Sequence, residues 1–443
     1  MQWLELHNME FGECIVIGGA DNTILMTDCG SMNHKLRETG SDVADYVRHS
    51  LMARYAGKRH KAFLLTHFHR DHMSGLREIL RLRPQYFDTI LLPAAPANVK
   101  GRALLLEFAI YVFAFLGRQS EYSQMSVSAL RIFERLRAIT GQGAVSTVGR
   151  GDAFSFDGVT YDVLWPKREE YPYSGLFTDT VEQLDVCLSS PFLGENAPLF
   201  LRLKKEFCAE YLRCCTLCAI GRKRDAQAVE ASINKLRCLL DEIEELSTSL
   251  LLLPTAPDVV DILNAPSVRA EYSFMQNMAS VVYQNRRTSA GSYNDILMTG
   301  DATPETFDEI AEDLYDGYYI FKAPHHGTQG SWSDRFYDIA KTHILISNGD
   351  YHAGGMICEN YPADEGIKHC TNPSACVWMQ ERGGCCNRTS FCWEAGPHGL
   401  LTLRCPMCAG QKRRNGCGIY VVSHRGDRGC FCDMQGIGYE SDG

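Results

Sequence analysis

Thr66-His67-Phe68-His69-Arg70-Asp71-His72 places three imidazoles and a carboxylate within six residues. The stretch directly follows an apolar run, Ala62-Phe63-Leu64-Leu65, which reads as a buried strand. Imidazole and carboxylate together are the usual ligand set for zinc and its neighbours in the first transition row. A strand that feeds them into a loop sets them at a sheet edge, where sites tend to form. His67 and His69 can point to one side. Asp71 and His72 follow one turn later, are expected on an exposed loop, and can serve a second ion. Two ions roughly 3.5–4 Å apart would activate a shared water and clamp a leaving oxygen. The plain alternative, polar loop residues with no ion, does not account for so dense a pattern.

Further pieces recur along the chain. Gly12-Glu13-Cys14-Ile15-Val16-Ile17 and Ile24-Leu25-Met26-Thr27-Asp28-Cys29-Gly30 read as an opening hairpin ending in Asp-x-Gly. Downstream come Ile296-Leu297-Met298-Thr299-Gly300-Asp301, then Lys322-Ala323-Pro324-His325-His326-Gly327-Thr328, then Ile344-Leu345-Ile346-Ser347-Asn348-Gly349. With His-x-His-x-Asp-His after a strand, this series resembles the metallo-β-lactamase fold. The pair Pro-His-His-Gly and Ile-Ser-x-Gly is similar to one branch, the soluble hydrolase domain of ComEC-type competence DNA-uptake proteins. Gly149-Arg150-Gly151-Asp152 with Val163-Leu164-Trp165-Pro166 looks like the same branch. The resemblance covers roughly residues 1–166 and 271–352.

It implies an α/β fold, an αββα sandwich, with Asp301 as the bridging carboxylate. His67 and His69 would hold one ion, and Asp71, His72 and His325 the other. His325 is preferred to His326 because it follows its strand most directly. Asp71 could instead orient the attacking water, while His326, Thr328 or Lys322 could assist the leaving group or bind phosphate. The wider superfamily supplies another histidine before the bridging aspartate, whereas this chain has no histidine between His72 and His325. Asn277-Met278-Ala279-Ser280 fits the Asn-x-x-Ser that ComEC-type domains have there. Asn277 would then lend an amide oxygen or hold a water, which favours a harder ion such as manganese beside zinc. Its plain reading is a turn residue opening a strand.

At 443 residues, 45% hydrophobic and 22% charged, the chain can bury a full core and has room for two or three units. Residues 1–166 and 271–352 form the two halves of the sandwich in this reading. Residues 167–270 form a mainly helical insertion that serves packing, dimerisation or, alternatively, as a lid over the cleft. Helical periods run from Leu199 to Ile220 and from Asp225 to Leu250. Cys214, Cys215, Cys218 and Cys238 could clip the insertion with a metal. The apolar stretch from Ala103 to Leu116 is too short to span a bilayer and reads as a helix packed on the sheet. No N-terminal export pattern is visible. A soluble cytoplasmic protein without a membrane channel is the expectation.

Residues 353–443 form a Cys-rich extension. Of 19 cysteines, 11 lie between Cys358 and Cys432. Cys405-Pro406-Met407-Cys408 is a Cys-x-x-Cys knuckle, and Cys430 with Cys432 could close a structural zinc site. The net charge of −10 argues against general adhesion to nucleic acid. Locally, Arg404, Lys412, Arg413, Arg414, Arg425 and Arg428 face only Asp427, a segment that could hold a phosphate backbone. The reading that follows is a metal-dependent hydrolase, a phosphodiesterase or nuclease using a metal-bound hydroxide. Hydrolysis of a lactone or other small ester is the rival chemistry. A metal-stabilised scaffold that binds a protein partner, or a homo-oligomer, is the non-catalytic alternative.

Overall fold

The computed structural model describes residues 3–19, 22–35, 40, 42–117, 121–136, 144–287, 295–349, 357–371, 392–396, 400–404 and 418–422. For residues 3, 121–125, 144 and 367 and for the last three stretches it describes the backbone alone. The chain is an α/β protein built on two mixed sheets. One is nine-stranded and the other seven-stranded.

In the first sheet, β1 (Trp3–His7), β2 (Ile15–Gly18) and β3 (Thr23–Thr27) pair antiparallel in turn. From β3 the sheet continues parallel through β4 (His60–Leu64), β5 (Thr89–Pro93) and β6 (Ala144–Val148). Parallel strands are covered on both faces, which is why β3 and β5 read as near-continuous apolar runs and are almost wholly buried. On its outer side β1 pairs parallel with β16 (Gly418–Val422), followed by β15 (Leu400–Arg404) and β14 (Cys392–Gly396).

In the second sheet, β7 (Ala153–Phe156), β8 (Val159–Trp165) and β9 (Val282–Asn285) run antiparallel. Beyond β9, β10 (Ile296–Met298), β11 (Gly317–Lys322), β12 (Ala340–Ile346) and β13 (Ile367–Cys370) run parallel to one another. Side chains from both sheets share one buried apolar cluster. A hydrogen bond of 2.7 Å between Thr27 Oγ1 and Tyr283 Oη joins them near the strand ends.

Strands β8 and β9 are spatial neighbours separated by five helices: Gly175–Leu188, Asn196–Leu217, Ala226–Leu250, Ala256–Asn264 and Pro266–Met278. The excursion therefore leaves and re-enters the sheet between adjacent strands. Ser174 and Asp225 cap their helices by accepting from Phe177 N and Ala228 N. The Leu104–Leu116 helix carries almost no polar face and is buried nearly all round, because the inserted helices cover what the sheet does not. Glu107 on it is buried against Arg102 at 2.8 Å and Lys204 Nζ at 2.7 Å. At the other end, Thr147 N donates to Cys218 O at 2.9 Å, tying the insertion to the edge strand β6. The Pro266–Met278 helix runs across the boundary expected at residue 270, so the last inserted helix also reaches the cleft.

The cysteine clip expected in the insertion is not formed. Cys214 and Cys218, one helical turn apart, pair with each other in the core. Cys215 is turned about 100° away on the helix, and Cys238 is exposed on the next one. Every cysteine whose side chain is described is a free thiol. No described helix is long and apolar enough to cross a membrane.

Candidate metal centre

Parallel strands end together, and that brings the motifs to one edge. Thr27 of β3 pairs in register with Leu64 of β4, so Asp28 and Leu65-Thr66 emerge side by side. In the other sheet, Leu297 of β10 faces Phe321 of β11, and Lys322 faces Leu345 of β12. Asp301, His325, His326 and Ser347 therefore follow three adjacent carboxyl ends, the place where open α/β sheets form sites. Val281 N donates to Thr66 O at 3.0 Å and Ser347 Oγ to Gly12 O at 2.8 Å, which closes the two edges on each other.

Asp71 and His72 do not lie on an exposed loop. They occupy the first turn of the Arg70–Leu82 helix and are buried. Cys29 N donates to His72 O at 2.8 Å and Glu13 N to Asp71 O at 3.0 Å, holding that turn against the opening hairpin. Gly30 makes the approach possible: a Cβ there would sit 2.5 Å from Arg70 O. This is the physical content of the Asp-x-Gly sequence, a carboxylate followed by a residue small enough to touch the ligand-bearing turn.

Asp301 is the hub. Its Oδ2 lies 3.1 Å from His72 Nε2, 3.3 Å from His326 Nε2, and 4.0 Å from both His67 Nε2 and His325 Nε2. Three of these rings are held through their other nitrogen. His72 Nδ1 donates to Asp28 Oδ2 at 2.8 Å, and His326 Nδ1 to Ser347 O at 2.8 Å. Thr66 Oγ1 donates to Asp28 at 2.7 Å and so accepts from His67 Nδ1 at 3.1 Å. An Nδ1–H committed in this way presents the Nε2 lone pair inward, the tautomer that a metal ligand needs. His69 is turned differently: Gln276 Oε1 meets its Nε2 at 2.9 Å.

His67 Nε2, His72 Nε2, Asn277 Oδ1 and Asp301 Oδ1 are buried and make no hydrogen bond. His72 Nε2 is close to Asp301 but not aligned with it. Proximity without alignment is what donors aimed at a common third partner produce, and buried polar atoms left unpaired cost free energy. A metal ion fits this donor set. Glu13, His72, Asp301 and His326 are all buried and offer one ligand atom each within 4.8 Å of one another, so this cluster could hold a metal ion. No other described His, Cys, Asp or Glu group is as close-knit.

Burial and charge pull the imidazoles apart. Burial pushes His67, His69 and His325 below the ordinary histidine range. For His72 burial acts the same way, but Asp301, Asp28 and Asp71 outweigh it and raise the ring well above that range. His326 is pushed up to about 9, burial being outweighed by Asp301 and Asp71. Asp71 is held down at about 2: burial opposes, and His72 with the hydrogen bond from His326 prevails. A cation would replace these protons as the compensating charge.

The two adjacent histidines differ in depth. His326 is fully buried and its Nε2 is 3.0 Å from Asp71 Oδ2. The side chain of His325 is 41% exposed at the mouth of the cleft, with Thr328 Oγ1 at 3.3 Å from Nδ1 and Asn277 Nδ2 at 3.3 Å from Nε2. Both sit at positive φ, 45° and 57°, a left-handed backbone rare for non-glycine residues. The turn thus sends consecutive rings to different depths around Asp301, so the ring nearer the end of β11 is the farther one from Asp301.

Lys322 cannot reach a leaving group. It is fully buried, and Nζ meets Glu13 Oε2 at 2.6 Å, Gly300 O at 2.6 Å and Asp301 Oδ1 at 3.5 Å. It donates to Gly300 O and is ion-paired with the two carboxylates, which hold it charged against burial. Asn277 belongs to the last turn of the Pro266–Met278 helix and does not open β9. Ser280 Oγ accepts from Asp301 N at 3.1 Å, so the serine of Asn-x-x-Ser holds the backbone of the hub.

Asp28, Glu13 and Gln276 were given no role by the sequence. Asp28 had a signal in Asp-x-Gly; the other two had none. Cys405, Cys408, Cys430 and Cys432 and the basic segment around them lie outside the residues whose side chains are described. No protein-family model, no curated protein and no solved structure matches this chain.

Proposed function

We propose that this chain is a metal-dependent hydrolase of the metallo-β-lactamase fold that cleaves phosphodiesters in a nucleic acid or nucleotide. The observation that carries the reading is the convergence of four imidazole Nε2 atoms within 4.0 Å of Asp301 Oδ2, three on rings fixed through Nδ1. Packing alone does not call for such an arrangement, since it leaves buried nitrogens unpaired. The order of motifs along two sheets with parallel carboxyl ends supports the same reading.

His67, His69, Asp71, His72, Asp301 and His326 would hold zinc or manganese, with Asn277 Oδ1 beside them. When bound, such ions supply Lewis acidity to a phosphoryl oxygen and lower the pKa of water. Asp28 and Ser347 O orient His72 and His326. Lys322, itself paired with Glu13, faces the far oxygen of Asp301. The exposed His325 is the imidazole that meets substrate. Its Nδ1–H faces Thr328, which leaves Nε2 to accept a proton from the incoming nucleophile.

The test is metal content together with turnover. Chelator-stripped protein is reloaded with zinc, manganese or magnesium and assayed on bis(p-nitrophenyl) phosphate, a short oligonucleotide and a simple lactone. Metal-dependent cleavage of the diesters is expected. Stoichiometric metal with lactone turnover and no diester cleavage would transfer the site to ester chemistry.

A further inference from the structure

We propose that a pocket at the carboxyl ends of β4 and β5 takes a short aliphatic group of the substrate, about two or three carbons in size. The inference rests on the phosphodiesterase reading and adds what the diester carries beside its phosphate. A cavity of about 50 Å³ lies at this place. His67 and Phe68, just past β4, form one wall, and residues 93–96, at the end of β5, form another. The Leu104–Leu116 helix adds Leu106 and Ala109. Tyr211, Tyr272 and Gln276 complete it from two of the inserted helices.

The pocket shares a wall with the metal centre. His67 lines it, and His67 Nε2 is 4.0 Å from Asp301 Oδ2. Gln276 lines it too, and its Oε1 meets His69 Nε2 at 2.9 Å. A group seated there is therefore one imidazole away from the reacting atoms. The half-buried residues Phe68, Ala95 and Leu105 mark its open side. Open α/β sheets bind ligands in the crevice outside the carboxyl ends of their strands, and the pocket and the metal centre both lie at that edge.

The lining selects an apolar occupant. Among the described residues it holds no Asp, Glu, Lys or Arg, and its polar members are His67, Tyr211, Tyr272 and Gln276. Each has a partner within the protein. Tyr211 Oη donates to Ala129 O at 3.2 Å, and Tyr272 Oη lies 3.3 Å from Ser126 Oγ. Thr66 Oγ1 engages His67, and His69 engages Gln276. A charge or hydroxyl placed among these apolar walls would lose its hydration without compensation. Size sets the second limit. A cavity of about 150 Å³ lined by Leu, Ile and Phe admits benzene, so about a third of that volume admits two or three carbons and excludes a nucleobase. The groups that fit are a methylene edge of a nucleotide sugar or the alkyl chain of a simple diester. The inserted helices thereby supply a selecting wall of the site.

The experiment is calorimetric titration of the zinc-loaded full chain with methyl-, propyl- and hexylphosphonate, anions that copy the phosphoryl group and carry a tail of set length. Affinity should rise about fourfold per methylene from methyl to propyl, about fifteenfold in all, and gain nothing from propyl to hexyl. Ala109→Leu fills the pocket and should bring the propyl-to-methyl ratio close to one. Leu106→Ala enlarges it and should let hexylphosphonate bind more tightly than propylphosphonate. Wild-type affinities that do not depend on tail length would overturn the pocket. So would a steady rise through hexyl that Ala109→Leu leaves unaltered. Thymidine 5′-phosphate, titrated beside propylphosphonate, separates the two sources: the one that weakens in Ala109→Leu is the one whose apolar edge enters. Turnover of bis(p-nitrophenyl) phosphate is measured in parallel. Length-dependent binding without diester cleavage would keep the pocket and remove the phosphodiesterase reading. Diester cleavage with no length dependence would do the reverse.

Discussion

Asp28 Oδ2 accepts from His72 Nδ1 at 2.8 Å, and both side chains have no solvent exposure. The same carboxylate receives Thr66 N at 2.8 Å and Thr66 Oγ1 at 2.7 Å. One acid thus orients His72 directly and His67 through Thr66. Removing it should loosen both rings at once. Asp28→Ala is expected to lower metal affinity about 10–100-fold, the usual cost of losing a carboxylate behind a ligating histidine. Competition with a chromophoric chelator measures it, and an unchanged affinity would mean that neither ring binds the ion.

His326 and His325 should separate by assay. His326→Ala removes the buried ring beside Asp71 and Asp301 and should cost metal stoichiometry. His325→Ala removes the exposed ring and should retain metal while turnover falls roughly 10²–10⁴-fold, as for loss of a positioned proton acceptor. Elemental analysis of both variants decides. Metal lost from His325→Ala and kept in His326→Ala would exchange the two assignments.

Stripped of metal, the protein should be most stable near pH ~6.5, the ordinary imidazole value. His72 and His326 are raised, His326 to about 9, so their contribution is complete below that value and is lost as pH rises towards 9. His67, His69 and His325 are lowered, so the unfolded chain takes up protons first, and stability falls as pH drops below ~6.5. Asp71, held at about 2, acts only at stronger acid. Melting temperature against pH, with and without zinc, tests this. Metal should move the optimum upward, because ligands bind it deprotonated. A metal-free profile flat from pH 5 to 9 would contradict the assignment of these charges.

Asn277 Oδ1 is buried and unpaired beside the imidazoles. A neutral amide oxygen favours harder ions relative to an imidazole. Asn277→His should shift the preference of a reloaded enzyme from manganese towards zinc. Turnover across a metal series reads the shift, and an identical series for both proteins would make Asn277 a purely structural helix end.

Lys322→Met should destabilise the fold by about 3–5 kcal/mol, because it leaves Glu13 and Asp301 buried without their cation. The double variant Lys322→Met with Glu13→Gln should recover much of that loss. Urea unfolding of the metal-free proteins measures both. A single variant as stable as wild type would show that the pair contributes nothing net.

The sequence by itself determined the elements and the chemistry that each carries. Val159–Trp165 was legible as a strand and Asp225–Leu250 as a helix, because periodicity is local. His67, His69, Asp71 and His72 were legible as candidate donors for the same reason, since residue type and a preceding apolar strand mark them, whereas Asp301 was indicated by the resemblance. Only the tertiary structure decided depth and orientation. It buried Asp71 and His72 in a helix turn, because hydrogen bonds from Glu13 and Cys29 close on that turn from a distant hairpin. It set His326 below His325, because a left-handed backbone at both residues turns neighbouring rings to different depths. It committed Lys322 to Glu13, more than three hundred residues earlier. Such pairings depend on which strand ends are brought together by register across two sheets, and no local pattern encodes them.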